Sequence, residues 1–154
     1  MAGPLLLNPN GTEQAGGRRV IPTPGRAFSR GLGLLHLRRF FPRLLSDFAQ
    51  HEEPLPKNPI EVEAISGACM LVSRAAVNNV GLFDEKYFLH CEDLDCCVRF
   101  HQNGYSIIFV PDAKVVHEKG VSSDSRPFAT EYYKHRGMVR FYRKFLRKQY
   151  SPIL

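Results

Sequence analysis

Over the first 59 residues, hydrophobic positions come in short bursts cut by glycine, proline and arginine. Pro4–Leu7 reads as a short extended piece, closed by a turn at Asn8-Pro9-Asn10-Gly11, and a Gly/Pro/Arg-rich loop follows. Leu32, Leu34, Leu35, Leu37, Phe40 and Phe41 then mix with Arg30, Arg38, Arg39 and Arg43, which predicts helical pieces broken at Pro42. Three prolines between His51 and Pro59 mark a linker. From residue 60 the periodicities sharpen. Ala68–Val72 is an apolar run of strand length. Ser73 caps a short helix, Arg74–Val80, that stops at Gly81. A second helix starts near Glu92-Asp93, whose carboxylates suit a helix N-terminus. It carries Leu94, Cys97, Val98 and His101 on one face and ends at Gly104. The strand Tyr105–Val110 closes at Pro111, a shorter one spans Ala113–His117, and residues 118–129 form a polar loop. A last helix, Thr130–Gln149, has Met138, Phe141, Tyr142, Phe145 and Leu146 on one face, with arginine and lysine over much of the rest. Alternating strands and helices predict an α/β fold.

Composition changes this picture little, but charge distribution changes it more. Hydrophobic residues make up 44% and charged residues 23% of 154, which excludes wholesale disorder and fibrous repeats. The net charge of +6 is unevenly spread. Residues 1–51 carry seven Arg against Glu13 and Asp47; residues 52–111 carry nine acidic and four basic residues; residues 112–154 carry ten basic and four acidic. An acidic centre thus lies between basic arms, which suit anionic partners or serve as solvated surface. The four cysteines, Cys69, Cys91, Cys96 and Cys97, are irregularly spaced with two adjacent, which disfavours a disulfide framework and fits a reducing, cytoplasmic setting. No apolar stretch is long enough to span a bilayer, and Pro4–Leu7 is too short for a signal peptide.

The densest chemical cluster is Asp84-Glu85 followed by Glu92-Asp93-x-Asp95, just after Tyr87-Phe88. Carboxylates at a helix start beside apolar side chains can serve as general bases, or simply cap the helix and oppose its dipole. Asp93-Leu94-Asp95 also matches a bare D-x-D metal pattern, but residues two apart on a helix point about 200° from each other and cannot chelate one ion unless the helix has not yet begun there. His117, at a strand end before a glycine-containing loop, is placed either as a metal ligand or as an ordinary half-buried residue. Cys91, Cys96, Cys97 and His101 match no closed zinc spacing. The terminal basic helix is suited to a membrane surface, to a nucleic acid, though no nucleic-acid motif accompanies it, or to packing with a solvated cationic face.

The ordered string carries a further signal. Ile65-Ser66-Gly67-Ala68-Cys69-Met70-Leu71-Val72, Val80-Gly81-Leu82-Phe83-Asp84-Glu85, Phe88-Leu89-His90-Cys91-Glu92-Asp93-Leu94-Asp95, Gly104-Tyr105, Val110-Pro111-Asp112-Ala113 and Val116-His117 follow one another in fixed order. Over roughly residues 60–145 this closely resembles the C-terminal half of family 2 glycosyltransferases, especially the rhamnosyltransferase-like branch. Gly3–Gly11 also looks like a mid-domain segment of that family. The resemblance implies a partial GT-A (Rossmann-like) fold without its N-terminal nucleotide-binding half. It divides the chain into a loop-rich basic segment (1–59), an acceptor-side catalytic portion (60–129) and a basic amphipathic helix (130–154).

By the same resemblance, an inverting transfer from a nucleotide-sugar to a glycan or lipid-linked acceptor is expected. Asp93 would be the base, with Glu92 sharing or assisting. Ser66, Gly67 and Ala68 would line the sugar pocket, while Asp95 would orient the helix start or bind acceptor. His117 would help hold a divalent metal, Mg or Mn, that neutralises the leaving diphosphate. The chain departs from the family in having Cys91, where a small residue, often glycine, precedes the Glu-Asp pair. It also has no nucleotide-binding strand and no strand-terminal D-x-D. The expectation is therefore a chain inactive alone, completed by a separate donor-half polypeptide, at the cytoplasmic face of a membrane. The alternative is a non-catalytic module that binds an anionic surface, membrane or nucleic acid.

Overall fold

A computed structural model of the chain describes residues 1–24, 50–118 and 126–150. Five strands and three helices are formed among them: β1 (Ala2–Leu7), β2 (Arg18–Arg19), β3 (Ile60–Glu61), β4 (Ala64–Ile65), α1 (Arg74–Val80), α2 (Glu92–Gln102), β5 (Ile108–Val116) and α3 (Pro127–Phe141), the last running into a π-helical turn, Tyr142–Leu146. The helical pieces expected between residues 28 and 50 lie outside the described residues, Gln50 excepted. The expected α/β class holds, with one parallel and two antiparallel strand pairings.

β5 is the centre of the main sheet, parallel to β1 on one side and antiparallel to β3 on the other. β2 and β4 make a separate antiparallel ribbon, with Arg18 opposite Ile65 and Arg19 opposite Ala64. α2 packs on β4. The core gathers Leu5, Ala64, Ile65, Leu94, Ile107 and Phe109 from these elements. Phe100 and Phe109 are fully buried, each contributing about 2 kcal/mol through apolar surface removed from water.

Two boundaries differ from the sequence reading. The apolar run Ala68–Val72 is not a strand: one bridge ties Leu71 to Ala2, and the Leu71 side chain is exposed. The strand at this point is the shorter, fully buried β4 just upstream. Conversely, the two strands expected on either side of Pro111 are one. Pro4 pairs with Val110 and Leu5 with Lys114, so residues 111–113 form a bulge. A bulge accommodates Pro111 because the unpaired residues need no ladder hydrogen bond.

The helices follow their caps. Ser73 Oγ accepts the Ala76 N–H (3.3 Å) at the start of α1, and Gly81 ends it at φ 81°. α2 is buried nearly all round: Cys96 and Phe100 are enclosed on the side away from the predicted Leu94–Cys97 stripe. α3 starts three residues before the predicted Thr130, with Pro127 in its first turn, where the missing N–H is harmless. Phe141 and Leu146 are buried, as the predicted face requires, whereas Met138 is exposed.

Candidate active site

The N-terminus of α2 is built on an unusual turn. His90 and Cys91 both adopt left-handed backbone, at φ 64° and 68°, and Cys91 caps the helix without a side-chain hydrogen bond. Gly137 of α3 packs against this turn; a Cβ there would meet the His90 carbonyl oxygen at 2.9 Å. The acidic residues of the first turn are Glu92, Asp93 and Asp95, and their charges offset the partial positive charge of the helix end.

These three carboxylates meet three different environments. Asp93 is almost buried. Its Oδ2 accepts from Arg19 Nη2 (2.5 Å) and from the Gly67 N–H (3.1 Å), while Oδ1 accepts the Leu94 N–H (2.8 Å). Glu92 is half-buried and its Oε2 has no partner; burial pushes its carboxyl above the usual glutamate range. Asp95 is fully enclosed and bridges Arg99 Nε (2.6 Å) and Lys144 Nζ (2.5 Å). Asp93 and Asp95 therefore face different partners, as their spacing on a helix requires. Both oxygens of Asp95 are thus paired inside the protein.

Asp84, from the same acidic cluster, is likewise committed to packing. It pairs with Arg140 (2.7 Å) and Lys144 (3.0 Å), and the Arg140 guanidinium holds its carboxyl well below the usual carboxylate range. Lys144 so joins Asp84 and Asp95, tying the π-helical turn to α2. Arg99 reaches the carbonyls of Val80 (2.9 Å) and Leu82, which fastens α2 to the end of α1.

Ser66, Gly67 and Ala68 leave β4 and pass beside the Glu92–Asp93 pair. A Cβ on Gly67 would lie 3.3 Å from Asp93 Cβ and 3.8 Å from Glu92 Oε1, so glycine permits this close approach. Gly67 and Ala68 are exposed, and Ser66 Oγ accepts the Ala68 N–H (3.2 Å). An open cleft between residues 85–88 and α3 is walled by Phe88, Tyr132, Tyr133 and Arg136. Phe88 packs on Tyr133 with ring centres 4.3 Å apart and planes tilted by 38°, and it remains largely exposed.

His117 lies elsewhere, just past β5, where its Nδ1 pairs with Gln14 Oε1 (2.7 Å) and its carbonyl accepts from Gln14 Nε2 (2.8 Å). That bond orients the ring in the way metal-binding imidazoles are oriented. Among the described residues, however, no three His, Cys, Asp or Glu side chains are grouped to hold a metal ion. These residues alone do not fit one. All four cysteines are free, and burial pushes the Cys91 and Cys97 thiols up to about 12, away from the thiolate form. Three participants were missed in the sequence: Arg19, the Gly67 amide as a donor to Asp93, and Gln14. Each acts across a long sequence separation that no local pattern marks.

A carboxylate pair thus stands at a helix head, facing a small-residue loop. Residues 44–139 match the family model described as glycosyltransferase like family 2, and the chain belongs to that family. The mixed α/β sheet is that of a partial GT-A, Rossmann-like fold, and the family typically uses a divalent metal. Among relatives, the chain is 35% identical over 127 residues to the N-acetylglucosaminyl-diphospho-decaprenol L-rhamnosyltransferase of Mycobacterium tuberculosis, in both strains CDC 1551 and H37Rv. It is 30% identical over 106 residues to rhamnosyltransferase WbbL of Escherichia coli K12. The matches cover 81% and 62% of this chain, and 39% of each relative's length. No solved structure matches it.

Proposed function

We propose that this chain forms the acceptor side of an inverting, nucleotide-sugar-dependent glycosyltransferase. The reaction is rhamnosyl-type transfer to a glycan or lipid-linked acceptor, in keeping with the names of its relatives. The observation that carries this is the Glu92–Asp93 pair, held at the head of α2 against the exposed Gly67–Ala68 loop. Asp93 takes the proton from the acceptor hydroxyl as its oxygen attacks the anomeric carbon. The bond from that carbon to the diphosphate breaks on the opposite face, which inverts configuration. Glu92 shares this site, its carboxyl biased toward the protonated form by burial. Ser66, Gly67 and Ala68 border the sugar. Asp95 orients the helix. His117, held by Gln14, would contribute a single imidazole to a metal whose other ligands this chain's described residues do not supply.

Because the chain spans 39% of its relatives' length, it is proposed not to transfer sugar alone but together with a donor-binding half. The test is a chimera in which this chain replaces the matching stretch of the mycobacterial relative, assayed with the isolated chain as control. The chimera is expected to transfer rhamnose and the isolated chain not to. Asp93→Asn should lower turnover by about 100-fold or more, the contribution of a general base, with donor KM nearly unchanged. Retained turnover in that variant would move the base elsewhere, and turnover by the isolated chain would overturn its dependence on a second half.

A further inference from the structure

We infer that Arg19 is a positioning residue that presents Asp93 to the acceptor hydroxyl; this rests on the reading of Asp93 as the base. Arg19 sits in a two-residue strand, 74 positions from Asp93. Its neighbour Arg18 is directed to Glu13 (2.8 Å) and lies over the Phe109 ring, whereas Arg19 is directed to the head of α2. A single nitrogen, Nη2, donates both to the Ile65 carbonyl (3.0 Å) and to Asp93 Oδ2 (2.5 Å). The Gly67 N–H reaches the same carboxylate oxygen (3.1 Å).

Both donors to Oδ2 thus come from the ends of one ribbon: Arg19 from β2, and Gly67 just after β4, whose Ile65 carbonyl anchors the guanidinium. The ribbon is a cradle for one oxygen. Oδ1 keeps only the neighbouring Leu94 N–H, so it is the oxygen with capacity left for a proton. The cradle also explains the requirement for glycine at position 67, since a Cβ would press on Asp93 itself.

The test has two arms. In the chain as it stands, amide hydrogen exchange is followed at Gly67, with Ile108 of β5 as a remote control. Arg19→Met should speed exchange at Gly67 about tenfold and leave Ile108 unchanged, and Arg19→Lys should restore most of the protection. In the chimera, Arg19→Met should lower kcat about tenfold or more with donor KM within twofold of the parent, again restored in part by Arg19→Lys. Unchanged exchange at Gly67, equal loss at Ile108, or a change in KM alone would overturn the positioning role. A parent chimera without transfer would instead sink the functional reading, while the exchange arm still decides where Arg19 holds Asp93.

Discussion

His90 and Cys91 hold left-handed backbone immediately before the carboxylate pair, a conformation that costs a non-glycine residue about 1–2 kcal/mol. Cys91 is buried and recovers part of this through packing, but His90 is exposed and does not. His90→Gly should therefore stabilise the chain by about 0.5–1 kcal/mol, after allowing for the greater freedom of glycine in the unfolded state. Urea unfolding would show it as a higher midpoint with an unchanged slope, and a lower midpoint would mean that the His90 side chain contributes more than the turn costs. At this scale the sequence revealed Glu92 and Asp93, because paired carboxylates at a helix start are a local pattern. It hid Arg19, whose partner lies in a distant element and whose own strand is too short to show periodicity.

Between elements, charge does much of the joining. The contact of the 84–87 segment with α3 depends on Asp84, which Arg140 and Lys144 hold in its ionised form. A carboxyl whose folded value is lowered adds stability above its unfolded value and loses it as pH falls through the folded one. Asp84→Asn should thus cost about 1–2 kcal/mol at pH 7, and the difference should narrow progressively below a pH of about 4. Thermal melts of both proteins across that range would check it; a constant difference would assign the loss to packing alone. The helices were legible from their caps and stripes, since Ser73, Gly81 and the Glu92-Asp93 start are local signals. The strands were less so. An apolar run such as Ala68–Val72 satisfies the strand pattern without having neighbours to pair with, and Pro111 marks a bulge as readily as an end.

For the molecule as a whole, the basic arms and acidic centre prove to be partners. Arg19 meets Asp93, and Arg140 and Lys144 meet Asp84 and Asp95, so part of the charge asymmetry is neutralised internally. What is left in solvent on the last helix and its extension is Arg136, Arg143, Arg147 and Lys148, with exposed Phe128, Tyr132 and Val139 on the same helix. No helix among the described residues is long or apolar enough to cross a membrane. We propose peripheral contact with an anionic membrane surface, at its cytoplasmic face, through these residues. Binding to vesicles containing phosphatidylglycerol should weaken in the triple variant Arg143→Gln, Arg147→Gln, Lys148→Gln by about 3 kcal/mol, roughly 1 kcal/mol per cation. Equal binding to neutral vesicles would speak against it.

The pairing of β1 with β5 has a consequence for how the protein is made. Leu5 and Leu6, buried in the finished sheet, emerge from the ribosome roughly a hundred residues before the strand that covers them. At translation rates of about 5–20 residues per second, that interval is on the order of ten seconds. During it the nascent chain displays an unpaired apolar strand, open to chaperones and to aggregation alike. The sheet closes only when synthesis has passed Val116.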